Sequence, residues 1–315
     1  MLVKLLKKNI KKSYMSAKSN NYIKSPLNFT GGKFKIIDQI LPLFPRRIDK
    51  FVDLFCGGLN ISINISAKKI IANDINYQII DFYKILKSQP AKSVLRKINK
   101  IIKDNNLSQS AVNGYEKYGC SSNDGLASYN KKKYINLRES YNKSRKKDPI
   151  LLYVLIIFAF NNQIRFNKKQ EFNLPVNKRD FTNNMQRNLI YFSENIRSKN
   201  IEFFSNDYHD ISISKSDFVY VDPPYLVSTA TYNENNGWNL EAEKDLLIYL
   251  DNLDKRGIKF ALSNVFQNKG KKNSILINWS KKYKIHKISR NYSNAGYNSA
   301  KKKAFLTKEV LITNY

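Results

Sequence analysis

The sequence predicts an open α/β sheet whose two halves are separated by an inserted, mainly helical region. Three observations predict it: short apolar runs that end in polar or Gly-rich turns, helical patterns between them, and a long break in that rhythm from about Pro90 to Ile196. In order, the strand-like runs are Arg47–Phe55, Lys69–Ala72, Ile201–Phe204, Asp217–Val221, Ile258–Leu262 and Val310–Ile312. Helical spacing fits Lys33–Leu43, Asn60–Ala67, Asn76–Lys87, Ala91–Lys103, Asn239–Leu253 and Ser274–Lys282. Strands alternating with helices place ligands at the strands' carboxyl ends. The break is polar, rich in Lys, Asn and Tyr and helical in pattern, apart from the apolar stretch Ile150–Phe160. The expected organisation is a basic flexible arm at 1–22, a catalytic domain at 23–89 and 197–315, and an inserted region at 90–196.

Composition narrows the function. The chain has 315 residues and is 42% apolar, so a sizeable core is available and wholesale disorder is excluded. Lys and Arg number 55 against 25 Asp and Glu, a formal charge of +30 that favours a polyanionic partner. The abundance of Lys, Asn and Ile also fits AT-rich coding, so the charge supports nucleic acid without proving it. Two cysteines, Cys56 and Cys120, rule out a disulfide scaffold and form no CxxC pair, and two histidines leave little for a metal site. His209 and His286 show no paired acid in sequence and read as surface or packing residues. The run Ile150–Phe160 is too short to cross a bilayer, and the basic opening lacks the pattern of a signal peptide. The expected setting is soluble, reducing and cytoplasmic, with no membrane partner.

Three short segments carry chemistry. Asp222-Pro223-Pro224-Tyr225 directly follows the apolar run Phe218–Val221, so a carboxylate stands at a strand's end ahead of two residues of fixed φ. Carbonyl acceptors plus an aromatic platform suit an exocyclic amino group on a planar base; a proline-stiffened loop with a carboxylate cap uses the same residues. Phe51-Val52-Asp53-Leu54-Phe55-Cys56-Gly57-Gly58 runs a buried strand into a Gly-Gly turn and a helix, which lets backbone approach a nucleotide-like ligand closely. The strand Ile70–Ala72 ends in Asn73-Asp74, where an acid accepts from ribose hydroxyls or caps a helix. Asn28-Phe29-Thr30-Gly31-Gly32-Lys33 precedes a helix but is no P-loop, because Phe34 follows the lysine.

In this order and spacing, the chain resembles the Dam-like (alpha-group) DNA N6-adenine methyltransferases from about Asn28 to Tyr315. FTGGK, FVDLFCGG, NDIN and VYVDPPY are similar to their cofactor, sheet, ribose and catalytic motifs. Further matches are Phe204-Ser205-Asn206-Asp207, Thr231-Tyr232 with Trp238, Leu262-Ser263-Asn264 and Glu309–Asn314. The family often has Lys-Trp where this chain has Asn28-Phe29. The resemblance implies a Rossmann-like class I methyltransferase sheet with an inserted target-recognition subdomain, and S-adenosyl-L-methionine as methyl donor. It implies cofactor contacts from Phe29, Thr30, Gly31, Gly32, Lys33, Asp53, Phe55, Gly57, Asp74, Ile75, Asp207, Tyr208 and Asp222. Phe29 and Lys33 would line the methionine end, Asp74 the ribose, and Asp207 the adenine amino group; no metal is implied.

The expected reaction is methyl transfer to adenine N6 in duplex DNA. Adenine N6 is a poor nucleophile because its lone pair is delocalised into the ring. Asp222 and the Pro223 carbonyl would accept its two hydrogens while Tyr225 stacks on the flipped-out base. Within the insert, Asn161, Gln163, Arg165, Asn167 and Asn173 resemble the family's target-recognition stretch, since Arg pairs with guanine and Asn or Gln with adenine. Lys178 and Arg179, with the basic clusters 131–133, 145–147, 168–169 and 301–303, are candidate phosphate contacts. The enzyme is expected either to pair with a cognate restriction endonuclease encoded nearby or to act alone as an orphan methylase. The alternatives are an RNA adenine methyltransferase and an inactive DNA-binding homologue; Asp222 and the insert weigh against the first, and the intact Asp53, Asp74, Asp207 and Asp222 against the second.

Overall fold

A computed structural model describes residues 22–227, 238–289 and 307–315. The arm at 1–22 (save Tyr22), Thr231-Tyr232 and Lys301–Lys303 lie outside the described residues. The fold is an eight-stranded sheet: β1 (Lys50–Asp53), β2 (Lys69–Asn73), β3 (Ile201–Phe204), β4 (Phe218–Val221), β5 (Lys259–Asn268), β6 (Lys271–Lys272), β7 (Lys284–Ile288) and β8 (Lys308–Thr313). Their order is β3-β2-β1-β4-β5-β8-β7, with β6 paired to β5 alone. The first five run parallel, while β8 runs antiparallel between β5 and β7. This is the class I methyltransferase fold, with the order reversing between β1 and β4, so a crevice opens at the carboxyl ends of those two strands.

The helices are α1 (Asn60–Asn64), α2 (Tyr77–Ser88), α3 (Ala91–Asp104), α4 (Ala127–Lys143), α5 (Pro149–Phe158), α6 (Asn183–Ser198), α7 (Leu240–Lys255) and α8 (Ser274–Trp279), beside shorter turns. Alternation on β1 and β4 splits the core: Phe51, Phe218 and Tyr220 face one apolar cluster, Val52, Val219 and Val221 the other. Burial on both faces explains why these strands read as unbroken apolar runs. Several starts are side-chain capped as their sequences require: Asn76 caps α2, Asp148 caps α5 ahead of Pro149, Thr182 caps α6 and Asn239 caps α7.

The structure departs from expectation in four places. Lys33–Leu43 is not one helix but a 3-10 turn (Lys33–Ile36), one α turn (Ile37–Ile40) and a second 3-10 turn (Leu41–Leu43), because Pro42 brings no amide donor. The helix expected to reach Ala67 ends at Asn64, whose side chain turns to bond both the amide and the carbonyl of Ile23. Strand β7 was not foreseen, since an edge strand reading Lys-Ile-His-Lys-Ile shows no apolar run. Finally, β5 runs on to Asn268 instead of stopping at Leu262. Helix α5, apolar all round, is buried on nearly every residue, and with α3 and α6 it shares the core of β1, β2 and α2. Helix α4 and the loop of residues 159–182 add Tyr134, Leu137, Tyr141, Ile164, Phe172, Leu174 and Phe181 to the same core.

One buried amide knits the strand ends together. Asn73, 1% exposed, donates to the carbonyls of Leu54 (3.1 Å) and Asn206 (3.0 Å) and accepts from the Asn206 amide (3.0 Å). It thereby joins the segments leaving β1, β2 and β3. Asn73→Ala is expected to lower stability by about 3 kcal/mol in urea denaturation, because buried groups of both neighbouring segments lose their partner. A loss below about 1 kcal/mol would show that these ends are held by other contacts.

Candidate active site

A cavity of about 1110 Å³ opens in the crevice. Phe29, Thr30, Gly31, Gly32, Lys33, Asp53, Phe55, Gly57, Asp74, Ile75, Asp207, Tyr208 and Asp222 all line it, together with Pro223 and Tyr225. Of the residues expected to meet DNA, Arg165 and Asn167 line the same cavity; Asn161, Gln163, Asn173, Lys178 and Arg179 do not. One continuous space therefore joins the strand ends to the loop of the insert.

At its floor, Asp222 follows the last residue of β4 beside Asp53, the last of β1. Lys33, 3% exposed, places its Nζ 2.7 Å from Asp222 Oδ1, 2.5 Å from the Tyr225 hydroxyl and 3.0 Å from the Gly31 carbonyl. Glu309, from β8, stands 3.8 Å from the same ammonium. The Tyr225 hydroxyl donates to Asp222 Oδ1 as well, at 2.9 Å. Asp222 Oδ1 is thus held from two sides, and its Oδ2 takes no hydrogen bond from a described residue. The carboxylate is oriented before any ligand arrives.

Asp53 is the least comfortable group. It is 1% exposed; Oδ2 accepts from the Ser62 hydroxyl at 2.5 Å, and Oδ1 has no partner among the described residues. Burial, opposed by the Ser62 bond and reinforced by the charges of Asp222 and Asp74, pushes its pKa up to about 8. Asp74 is also raised, again by burial, although the amides of Asn76 and Gly57 donate to it at 2.9 Å each. The Gly57 bond ties the glycine turn to the end of β2. Gly57 has φ +41°, which strains a residue with a side chain, and a Cβ on Gly58 would fall 2.9 Å from Asn60 Nδ2, which would have to shift. The Phe29 ring packs over it, 3.5 Å from where a Gly57 Cβ would sit.

The far wall is aromatic. Phe55 lies 5.3 Å from Tyr208 and 5.8 Å from Trp238, edge-on to the latter. Asp207 accepts from both the amide (3.0 Å) and Nδ1 (2.7 Å) of His209 at a single oxygen, Oδ1. His209 was read from sequence as lacking an acid partner; the structure sets it between Asp207 and Asp245, because the second acid comes from α7. No spacing rule joins residues that far apart. Glu309 and Asn73 escaped the residue-level reading for the same reason: each acts on a segment distant in sequence.

In the insert, the polar groups are engaged internally. The Arg165 guanidinium donates to the Asn173 side chain (2.8 Å) and carbonyl (3.1 Å). Asn167 closes the turn to Glu171, accepting from the amides of Lys169 (2.9 Å) and Glu171 (3.0 Å). Asn161 adopts φ +53°, and its carbonyl accepts from Asn28 Nδ2 at 2.8 Å, while the neighbouring Phe160 is 49% exposed. Asn28, where the family often carries Lys, here ties the glycine-rich entry segment to the insert loop. Lys178 and Arg179 are exposed, next to Asp180, which is fully buried and anchored by Ser108 and Ser110. No group of His, Cys, Asp and Glu suited to a metal occurs among the described residues, nor any helix long and apolar enough to cross a membrane.

A family model described as D12 class N6 adenine-specific DNA methyltransferase matches residues 29–294. The chain is 40% identical over 323 residues to the type II methyltransferase M.FokI of Planomicrobium okeanokoites, covering 100% of this chain and 46% of that protein. It is 38% identical over 308 residues to the modification methylase StsI of Streptococcus sanguinis, covering 94% of this chain and 44% of that protein. Against the DNA adenine methylase of Escherichia coli K12 the identity is 25% over 283 residues, covering 86% of this chain and 89% of that protein. The chain therefore spans less than half the length of the first two relatives.

The Asp53 carboxyl makes stability depend on pH. Its folded pKa, near 8, exceeds the ordinary 3.8, so the unfolded chain gives up this proton near pH 4 while the folded chain keeps it to about pH 8. That difference costs stability progressively as pH rises through this window. Asp53→Asn, which mimics the protonated acid, is expected to gain Tm over the parent at pH 9 and to match it near pH 4. Melting curves offset equally at both pH values would mean that Asp53 does not titrate there.

Proposed function

The chain belongs to the D12 class of N6 adenine-specific DNA methyltransferases, and on that premise we propose that it transfers a methyl group from S-adenosyl-L-methionine to adenine N6 at a specific site in duplex DNA. The observation that carries this reading is the orientation of Asp222: Oδ1 is fixed by Lys33 and Tyr225, and Oδ2 is left for a donor from the cavity. The cofactor fits the chemistry of the site. Four carboxylates, Asp53, Asp74, Asp222 and Glu309, share the floor and wall with one buried lysine, and the unpartnered Asp53 Oδ1 asks for a cationic or donor group. S-adenosylmethionine, when bound, supplies an electrophilic sulfonium methyl and the positive charge this set lacks.

The chain's residues then do the remaining work. Phe29 and the Gly31-Gly32 backbone wall the methionine end, Asp74 accepts from the ribose hydroxyls, and Asp207 accepts from the cofactor's adenine amino group. Ile75, Phe55 and Tyr208 shield that ring from water. Asp222 Oδ2 and the Pro223 carbonyl accept the two hydrogens of the target amino group, which draws the nitrogen toward tetrahedral geometry and localises its lone pair. Tyr225, pinned at its hydroxyl, offers its face to the extruded base. The loop at 159–182 and the exposed Lys178 and Arg179 serve as the DNA-reading surface, with Arg165 and Asn173 exchanging their mutual bonds for base edges. Because M.FokI and StsI carry the names of type II and modification methylases, a cognate endonuclease is the proposed biological partner.

With tritiated methyl donor, label is expected in duplex DNA and not in RNA, and Asp222→Ala is expected to abolish it while DNA affinity holds within about threefold. Near-normal turnover by that variant, or label in RNA alone, would overturn the assignment. Replacing Lys178 and Arg179 together by Ala is expected to weaken DNA binding across sequences and flatten the plot of log K against log salt by about two units. An unchanged slope would place the phosphate contacts elsewhere.

A further inference from the structure

We infer that His209 is a positioning residue for cofactor recognition: it clamps Asp207 so that Oδ2 of that carboxylate, rather than Oδ1, is presented to the cofactor's adenine amino group. The inference rests on the cofactor reading above, since it assumes that Asp207 meets that amino group.

The geometry is specific. His209 gives Asp207 Oδ1 two donors, its own amide at 3.0 Å and Nδ1 at 2.7 Å, and no described residue bonds Oδ2. The ring cannot turn away easily. Its Nε2 lies 3.1 Å from Asp245 Oδ2 on α7, it stacks on Tyr208 with centroids 4.1 Å apart, and Tyr249 meets it edge-on at 5.4 Å. Asp245 is fixed in turn by the Tyr208 hydroxyl at 2.5 Å. Asp207 itself has a side chain 55% exposed, in a short turn after β3 where solvent would otherwise let it sample several rotamers. The bonds from His209 also hold that carboxyl below its ordinary range, although partial burial works against them. An ionised, singly oriented acceptor discriminates an amino group from a carbonyl at the ring's 6-position, because a carbonyl offers it no proton.

The two ring nitrogens can be replaced one at a time. An Asn side chain places an amide donor near the position of Nδ1, and Gln near that of Nε2. S-adenosylhomocysteine and S-inosylhomocysteine, which differ in the 6-substituent and in the proton inosine carries on N1, would be titrated calorimetrically into the full chain carrying His209→Asn, His209→Gln, His209→Ala or Asp207→Ala. The parent protein is expected to prefer the adenosyl compound. His209→Ala and His209→Gln should lose about tenfold of that preference, and His209→Asn should keep most of it. Equal behaviour of the Asn and Gln variants, or a preference unchanged in His209→Ala, would overturn the role of His209 alone. A preference unchanged in Asp207→Ala would instead remove Asp207 from the adenine subsite, and the inference with it.

Discussion

An unbalanced cluster of charge at the carboxyl ends of β1, β2 and β4 is the constraint on which the rest of the site depends. Asp53, Asp74 and Asp222 project from adjacent strand ends, Glu309 joins them from β8, and Lys33 is the one cation buried among them in the described residues. Such a group is tolerated only if each charge is neutralised or hydrogen-bonded. The protein uses both routes: burial raises the Asp53 pKa and Ser62 donates to it, Asp74 takes two amides, and Asp222 shares the ammonium and a phenol. Among the described residues the carboxylates there outnumber the cations, which is the imbalance the proposed sulfonium donor would offset.

Much of this was legible in the sequence because the chemistry is local there. Asp222-Pro223-Pro224-Tyr225 follows an apolar strand, and Gly57-Gly58 follows another, so both could be set at strand ends from the chain alone. The structure brings every residue expected at the cofactor into one cavity. What stayed hidden is what depends on pairing between distant segments. The strand holding Glu309 is recognisable but its reach to Lys33 is not, His209 finds Asp245 only once α7 folds back beside β3's exit, and Asn73 joins three strand ends. The length of β5 was underestimated because its second half, Ser-Asn-Val-Phe-Gln-Asn, is polar yet buried at Ser263 and Asn264, where Asn264 reaches Glu243 on α7.

The middle region carries a different lesson. Composition marked 90–196 as foreign to the α/β rhythm, yet the stretch shares its apolar core with the sheet. An all-apolar helix cannot face solvent, so α5 becomes part of the layer over the sheet and takes α3 and α6 with it. The loop of residues 159–182 rests on that platform through Phe172, Leu174 and Phe181, and Asp180 adds a polar, buried anchor. Through Asn161 it also meets Asn28 of the glycine-rich entry segment.

Lys33 lies near one end of the described chain and Glu309 near the other, and β8 must slide between β5 and β7 before the two can meet. Tyr315 then latches back onto the carbonyl of Leu43. As the polypeptide emerges from the ribosome, Lys33 is therefore made well before Glu309, and a product that lacks β8 cannot close the centre. A chain stopped ahead of that strand leaves the lysine without one of its carboxylate neighbours, so the centre is complete only once β8 has joined the sheet.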